Sequence, residues 1–198
     1  MTILLADPRV ASIPVHETFQ PLVTLGASFG PDRARVRGAV AARLRRAQMS
    51  VPVGMSLRVV EGHRSAMTQD ALAVPSTIAP HVTGAAVDVT LVDLWGAELD
   101  LGPRIDALLE ESGVHRDTAA VSPQAQARRT LLARVLAAAG LVNYPGAWWH
   151  WSYGDRYWAL LTGAGSAPIG PIRDLDGPLD DPVMQNDHAV RPWLRGVA

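Results

Sequence analysis

Two stretches of this chain alternate apolar and polar side chains with the period of two that a pleated strand demands, and both end beside residues able to carry chemistry. Ser56-Leu-Arg-Val-Val60 predicts a strand that finishes at Glu61-Gly62, with Arg64 on the following turn. From Ala86 to Leu91, Val87, Val89 and Leu91 alternate with Asp88 and Thr90, which puts Asp88 on one face with Ala86 and Thr90. Helical spacing appears elsewhere. Val36, Val40, Leu44 and Ala47 recur at three- and four-residue intervals and predict an amphipathic helix from an Asp32 cap to about Met49, its arginines (Arg33, Arg35, Arg37, Arg43, Arg45, Arg46) on the solvated faces. A short helix is expected from Ser65 to Ala73, closed by Pro75, and another from Pro103 to about Ser112. The longest is expected from a Ser122-Pro123 cap to Ala139, with Leu131, Leu132, Val135 and Leu136 as its buried stripe and Gly140 as its stop. Gly96 marks a turn between two short strands, and residues 113–122, with His115, read as an exposed loop.

Strands followed by helices and then a last strand give an α+β layout: a small, mostly antiparallel sheet with packed helices in a single domain. Residues 1–30, interrupted by Pro8, Pro14 and Pro21, read as an arm that wraps the domain. Residues 31–160 form the domain itself, and residues 161–198, rich in Gly and Pro, form a tail packed on it.

Composition narrows the chemistry. The chain has 198 residues, 48% of them hydrophobic, and a formal net charge of -1, which offers no concentrated positive charge for nucleic acid or an anionic membrane. All 18 basic residues are arginine, so lysine Schiff-base chemistry is excluded, and the absence of cysteine excludes disulfides, thiolate nucleophiles and Cys-ligated metal sites. No apolar run is long enough for a membrane span and no signal segment is evident, so a cytoplasmic protein is expected. Any zinc must be held by His, Asp or Glu.

Such a set is available. Gly84 allows the loop carrying His81 to fold back towards the Asp88 face, and His150 stands among four of the six tryptophans, Trp148, Trp149, Trp151 and Trp158. Read as a strand, this segment places Trp148, His150 and Ser152 on one face and Trp149, Trp151 and Tyr153 on the other. Two histidines and one carboxylate suit zinc with an open fourth position, and the same triad is compatible with Fe(II).

His81-x2-Gly84-x-Ala86-x-Asp88-x-Thr90-Leu91, followed by Trp148-Trp149-His150, Tyr153-Gly154 and Trp158, resembles the D-alanyl-D-alanine dipeptidases. These are zinc D,D-peptidases of the vancomycin-resistance type, with a fold shared by D,D-carboxypeptidases and hedgehog domains. The resemblance covers roughly residues 55 to 158 and implies His81, Asp88 and His150 as ligands of one zinc ion. Gly62-His63-Arg64 is similar to the segment whose arginine stabilises the transition state, with His63 in the place of a substrate-side tyrosine. Leu101-Gly-Pro-Arg-Ile-Asp106 is similar to the segment whose aspartate meets the substrate's amino terminus, and Arg128-Arg129-x-Leu131-Leu132 is similar to the helix before the catalytic strand. The implied substrate is a small dipeptide.

One departure is chemical. Three residues before the last histidine this family carries a glutamate, the general base, and here the position is Ala147. A methyl group moves no proton, and losing a positioned base typically costs about 10²–10⁴-fold in rate. Ala79 and Pro80 also depart from the polar residues usual before His81. Three readings follow: a D,D-dipeptidase using another base, with Glu61, Asp155 and Tyr153 as candidates; a non-hydrolytic metal enzyme catalysing cyclisation, elimination or isomerisation; or a catalytically silent peptide binder.

Overall fold

A computed structural model describes residues 3–70, 79–105, 115–117 and 120–172. The elements in chain order are α1 (Pro8–Ser12), β1 (Leu22–Thr24), β2 (Arg35–Arg37), α2 (Gly38–Gln48), β3 (Met55–Glu61), α3 (Ala66–Asp70), β4 (Ala86–Asp93), α4 (Pro123–Ala138), β5 (Val142–Asn143), β6 (His150–Ser152) and α5 (Arg156–Thr162). Single 3-10 turns occur at Ala27–Phe29 and Pro80–Thr83. Two antiparallel sheets result, a two-stranded β1-β2 ribbon and a four-stranded sheet in the order β3-β4-β6-β5. The fold is α+β in one domain.

The four-stranded sheet has an apolar face and a chemical face, and alternation decides which residue goes where. Leu57 and Val59 of β3, Val87, Val89 and Leu91 of β4 and Trp151 of β6 join one buried cluster with Val40 and Leu44 of α2 and Leu132, Val135 and Leu136 of α4. Asp88 pairs with His150 and Ala86 with Ser152 on the opposite face. At the end of β3 a bulge between Val59 and Glu61 inserts one extra residue, so that Glu61 stands opposite Asp88. Without the bulge Glu61 would follow Val59 by two and point into the apolar cluster. The extra residue turns its carboxylate to the chemical face.

The amphipathic helix starts five residues later than expected. Arg35–Arg37 is extended and pairs with Leu22–Thr24, so the cap is Arg37 and Asp32 lies in the connection between the two ribbon strands. Arg37 is therefore buried, which corrects its assignment to a solvated face. Its guanidinium donates to the carbonyls of Gln20, Thr83 (2.9 Å) and Gly170 (3.2 Å) and faces Glu17, tying the arm to the Pro80–Thr83 turn and to the segment after α5. The arm crosses α5 as well: Ile3 accepts from the Tyr157 hydroxyl, Ala11 accepts from Arg156, and Val15 bridges Ala167.

Other boundaries fall close to expectation. Ser122 caps α4 through the Ala125 N–H, and Leu132, Val135 and Leu136 are buried while Leu131 packs at the edge of the core. Beyond Gly96 the second strand is a single Val92–Glu98 bridge. The helix expected from Pro103 to Ser112 lies, from Asp106 onwards, outside the described residues. Among those described, no helix is long and apolar enough to cross a membrane.

Candidate metal centre

Each of the three candidate ligands arrives from a different piece of backbone. His81 sits in the Pro80–Thr83 turn, which Gly84 closes in the left-handed conformation (φ 69°), a position that favours glycine. Asp88 is in the middle of β4, and His150 opens β6 directly across from it. Ala147, Trp148 and Trp149 lie in turns and not on the strand, so the expected alternation of Trp148 with His150 does not hold. All three tryptophans beside His150 are buried, and Trp148 is fixed by its indole N–H on the Pro103 carbonyl (2.9 Å) and by the Arg129 guanidinium over its ring.

The ligand atoms converge. His150 Nδ1 is 3.0 Å from Asp88 Oδ1 and 3.2 Å from His81 Nε2, and His81 Nε2 is 3.4 Å from the same carboxylate oxygen. Bonds of about 2.0–2.1 Å to a tetrahedral ion set neighbouring ligand atoms about 3.3–3.4 Å apart, so the triangle has nearly the required edges. The contact behind His81 supports the same assignment. The Gly62 carbonyl accepts from His81 Nδ1 at 2.7 Å, which leaves Nε2 with its lone pair towards the triangle. Gly62 makes this approach because it has no side chain: a Cβ there would collide with the Arg35 carbonyl and sit 3.0 Å from Val36.

Charge points the same way. The three candidate ligands are at most 4% exposed, and Asp88 Oδ2 and His150 Nε2 have no hydrogen-bond partner among the described residues. With neutral histidines, Glu61, Asp88 and Arg64 leave this buried group one negative charge in excess, which a divalent cation reverses. The titrations reflect the imbalance. Burial opposes ionisation of Asp88, yet His81 and His150 outweigh it and hold the carboxyl well below the ordinary range. Burial favours a neutral His81, but Asp88 and Glu61 raise its pKa above the usual value. The residues therefore fit a metal ion.

Arg64 is buried beside them, its N–H bonded to the His81 carbonyl (3.2 Å). Its Nε and Nη2 grip both oxygens of Glu61 (2.8 and 2.5 Å), and Nη1 donates to Gln69 Oε1 (2.8 Å). Burial disfavours the Glu61 anion, but His81 and Arg64 hold its pKa below the usual carboxylate range. His63, half-buried, is anchored by its own N–H on Arg35 O (2.6 Å). Asp106 lies outside the described residues. Ala147 is buried, receives the His150 N–H on its carbonyl (3.1 Å) and donates its own N–H to Tyr144 (3.0 Å).

Of the other candidate bases, Tyr153 is engaged, whereas Asp155 keeps a buried Oδ2 with no hydrogen-bond partner among the described residues. Asp155 caps α5, with Oδ1 accepting from Trp158 N–H (2.7 Å) and Ser152 Oγ (3.1 Å). Tyr153 lies under the Arg43 guanidinium (3.2 Å) and against Trp158. Spacing gave no sign of Tyr144, whose ring meets the His150 ring edge-on at 6.2 Å. Nor did it single out Gln69, although five residues after an arginine on a turn is within reach of a short helix.

The sequence profile described as D-ala-D-ala dipeptidase matches residues 42–161, more than half of the chain, a span that includes His81, Asp88 and His150. The chain belongs to the D-Ala-D-Ala dipeptidase family. Members of this M15 peptidase family are metal-dependent. A Synechocystis protein named D-alanyl-D-alanine dipeptidase is 41% identical over 95 residues, covering 43% of this chain and 38% of that protein. An Escherichia coli K12 protein of the same name is 37% identical over 70 residues, 35% of each. The chain thus spans between 35 and 38% of the length of these two relatives.

Proposed function

We propose that this chain is a zinc enzyme of the D,D-dipeptidase type, acting on a small dipeptide or amino-acid-derived substrate, with its hydrolytic step slowed by Ala147. The convergence of His81 Nε2, Asp88 Oδ1 and His150 Nδ1 within 3.0–3.4 Å carries this reading. A bound zinc ion would supply a Lewis acid and bring the pKa of a coordinated water to about 7. The protein's own residues divide the remaining work. Gly62 orients His81, Glu61 and Gln69 hold Arg64, and the guanidinium N–H groups they leave unused are suited to a developing oxyanion. By resemblance, His63 and Asp106 meet the substrate, Asp106 at its amino terminus.

Ala147 leaves no carboxylate at the family's base position, Glu61 and Tyr153 are engaged elsewhere, and Asp155 commits one of its two oxygens to capping α5. That observation favours a second reading, a metal site that binds peptide-like ligands without cleaving them. D-Ala-D-Ala turnover by the zinc-loaded protein and its Ala147→Glu variant, at equal metal content, separates the two. The expected result is slow hydrolysis that rises on the order of 10²-fold or more in the variant. Equal rates would overturn the role given to Ala147, and no turnover by either protein would leave the non-hydrolytic reading.

A further inference from the structure

A guanidinium carries five N–H donors in one plane. In Arg64 three are accounted for: Nε–H and one Nη2–H go to the two oxygens of Glu61, and one Nη1–H goes to Gln69 Oε1. The two others have no partner among the described residues. The anchors come from separate elements, Glu61 from the bulged end of β3 and Gln69 from α3. That separation matters mechanically. A two-point grip by a single carboxylate aligns one edge of the guanidinium but lets the plane swing with the glutamate side chain, whereas a third bond from another element stops the swing. Gln69 is itself 1% exposed, and its backbone N–H is tied to Ser65 O at 3.0 Å, so the carboxamide stands on a fixed base.

We infer that Gln69 is a positioning residue: its carboxamide, together with Glu61, locks the Arg64 guanidinium beside the His81-Asp88-His150 triad with two N–H donors left for a substrate oxygen. The inference rests on the D,D-dipeptidase reading for the destination of those donors, but not for the clamp itself. Glu61 then serves as an anchor and is withdrawn from the candidates for a replacement base, since both of its oxygens are spent on Arg64.

The variants that test this are Gln69→Met, which fills similar space without an acceptor, and Gln69→Glu, which keeps an acceptor oxygen. In the metal-free protein, exchange of the Arg64 Nε–H with water, followed by nitrogen-15 NMR, is expected to quicken about 10-fold or more in Gln69→Met and to return towards the parent rate in Gln69→Glu. In the zinc-loaded Ala147→Glu background, Gln69→Met is expected to lower kcat for D-Ala-D-Ala about 10-fold with KM within about 2-fold, and Gln69→Glu to recover most of the loss. Unchanged exchange in Gln69→Met would overturn the clamp. Changed exchange with unchanged kcat in an active background would overturn the positioning role, and so would an equal loss of kcat and thermal stability in both variants. If Ala147→Glu shows no turnover at all, the dipeptidase reading fails, while the exchange rates still decide whether Gln69 holds Arg64.

Discussion

Adding one methyl group at Gly62 is expected to weaken metal binding from a position that touches no metal. The new Cβ would run into the Arg35 carbonyl and lie 3.0 Å from Val36 Cγ1, both parts of the buried wall formed by β2. Backbone cannot yield there as a side-chain tip would, so the strand end must move away from β2. Gly62 O moves with it, and the 2.7 Å bond that holds His81 in its ligating tautomer stretches or breaks. Overpacking of this kind costs about 1–3 kcal/mol, which for a domain of this length lowers Tm by about 2–12 °C. Loss of an orienting partner typically costs about 10–100-fold in metal affinity, equivalent to about 1.4–2.7 kcal/mol. Calorimetric titration of zinc into metal-free protein, beside a thermal melt, measures both. Gly38→Ala is the control, because nothing lies within 4 Å of a Cβ at that first residue of α2. If Gly62→Ala melts lower but binds zinc as tightly as the parent, the Gly62 carbonyl does not orient His81 for a metal and the reasoning fails.

Two further outcomes follow from buried polar groups outside the triad. Burial raises the Asp155 pKa against the opposing pull of the Trp158 N–H and the Ser152 hydroxyl, so the carboxyl's contribution to stability is complete below its unfolded pKa and is lost as pH rises through the folded one. Asp155→Asn keeps an acceptor for both donors but cannot ionise, so its urea midpoint relative to the parent should improve between pH 4 and pH 7.5; a difference that stays constant with pH would contradict this. Arg129, buried and bonded to the carbonyls of Leu101 (2.6 Å) and His115 (2.8 Å), leaves both acceptors without that cation when replaced, so Arg129→Leu should cost about 2–4 kcal/mol in urea unfolding. A loss under about 1 kcal/mol would show those bonds to be dispensable.

What could be read from residue order was whatever depends on local periodicity. Alternation around Asp88 placed it on the strand face opposite Val87 and Val89, and the Ser122 cap and apolar stripe of α4 appeared where spacing put them. The triad was legible because a histidine beside a glycine turn, a strand aspartate and a tryptophan-flanked histidine combine into a known pattern. Features set by distant partners were not. Arg35–Arg37 continues the helical spacing of α2, but pairing with Leu22–Thr24 draws it into a ribbon and buries Arg37. The bulge that turns Glu61 towards Asp88 depends on the register between β3 and β4, which no single strand encodes. Trp148 and Trp149 have strand-like neighbours, yet the turns before His150 remove them from the pleat. The Gln69 contact depends on how α3 folds back over Arg64, a tertiary fact with no periodic signature.

The claim on which the rest depends is that His81, Asp88 and His150 hold one metal ion. Native mass spectrometry of zinc-exchanged protein, run in parallel on the parent chain and on His150→Ala, tests it directly. One zinc per parent chain and none retained by the variant is the expected result. A parent chain that emerges metal-free, or a His150→Ala protein that keeps its zinc, would contradict it.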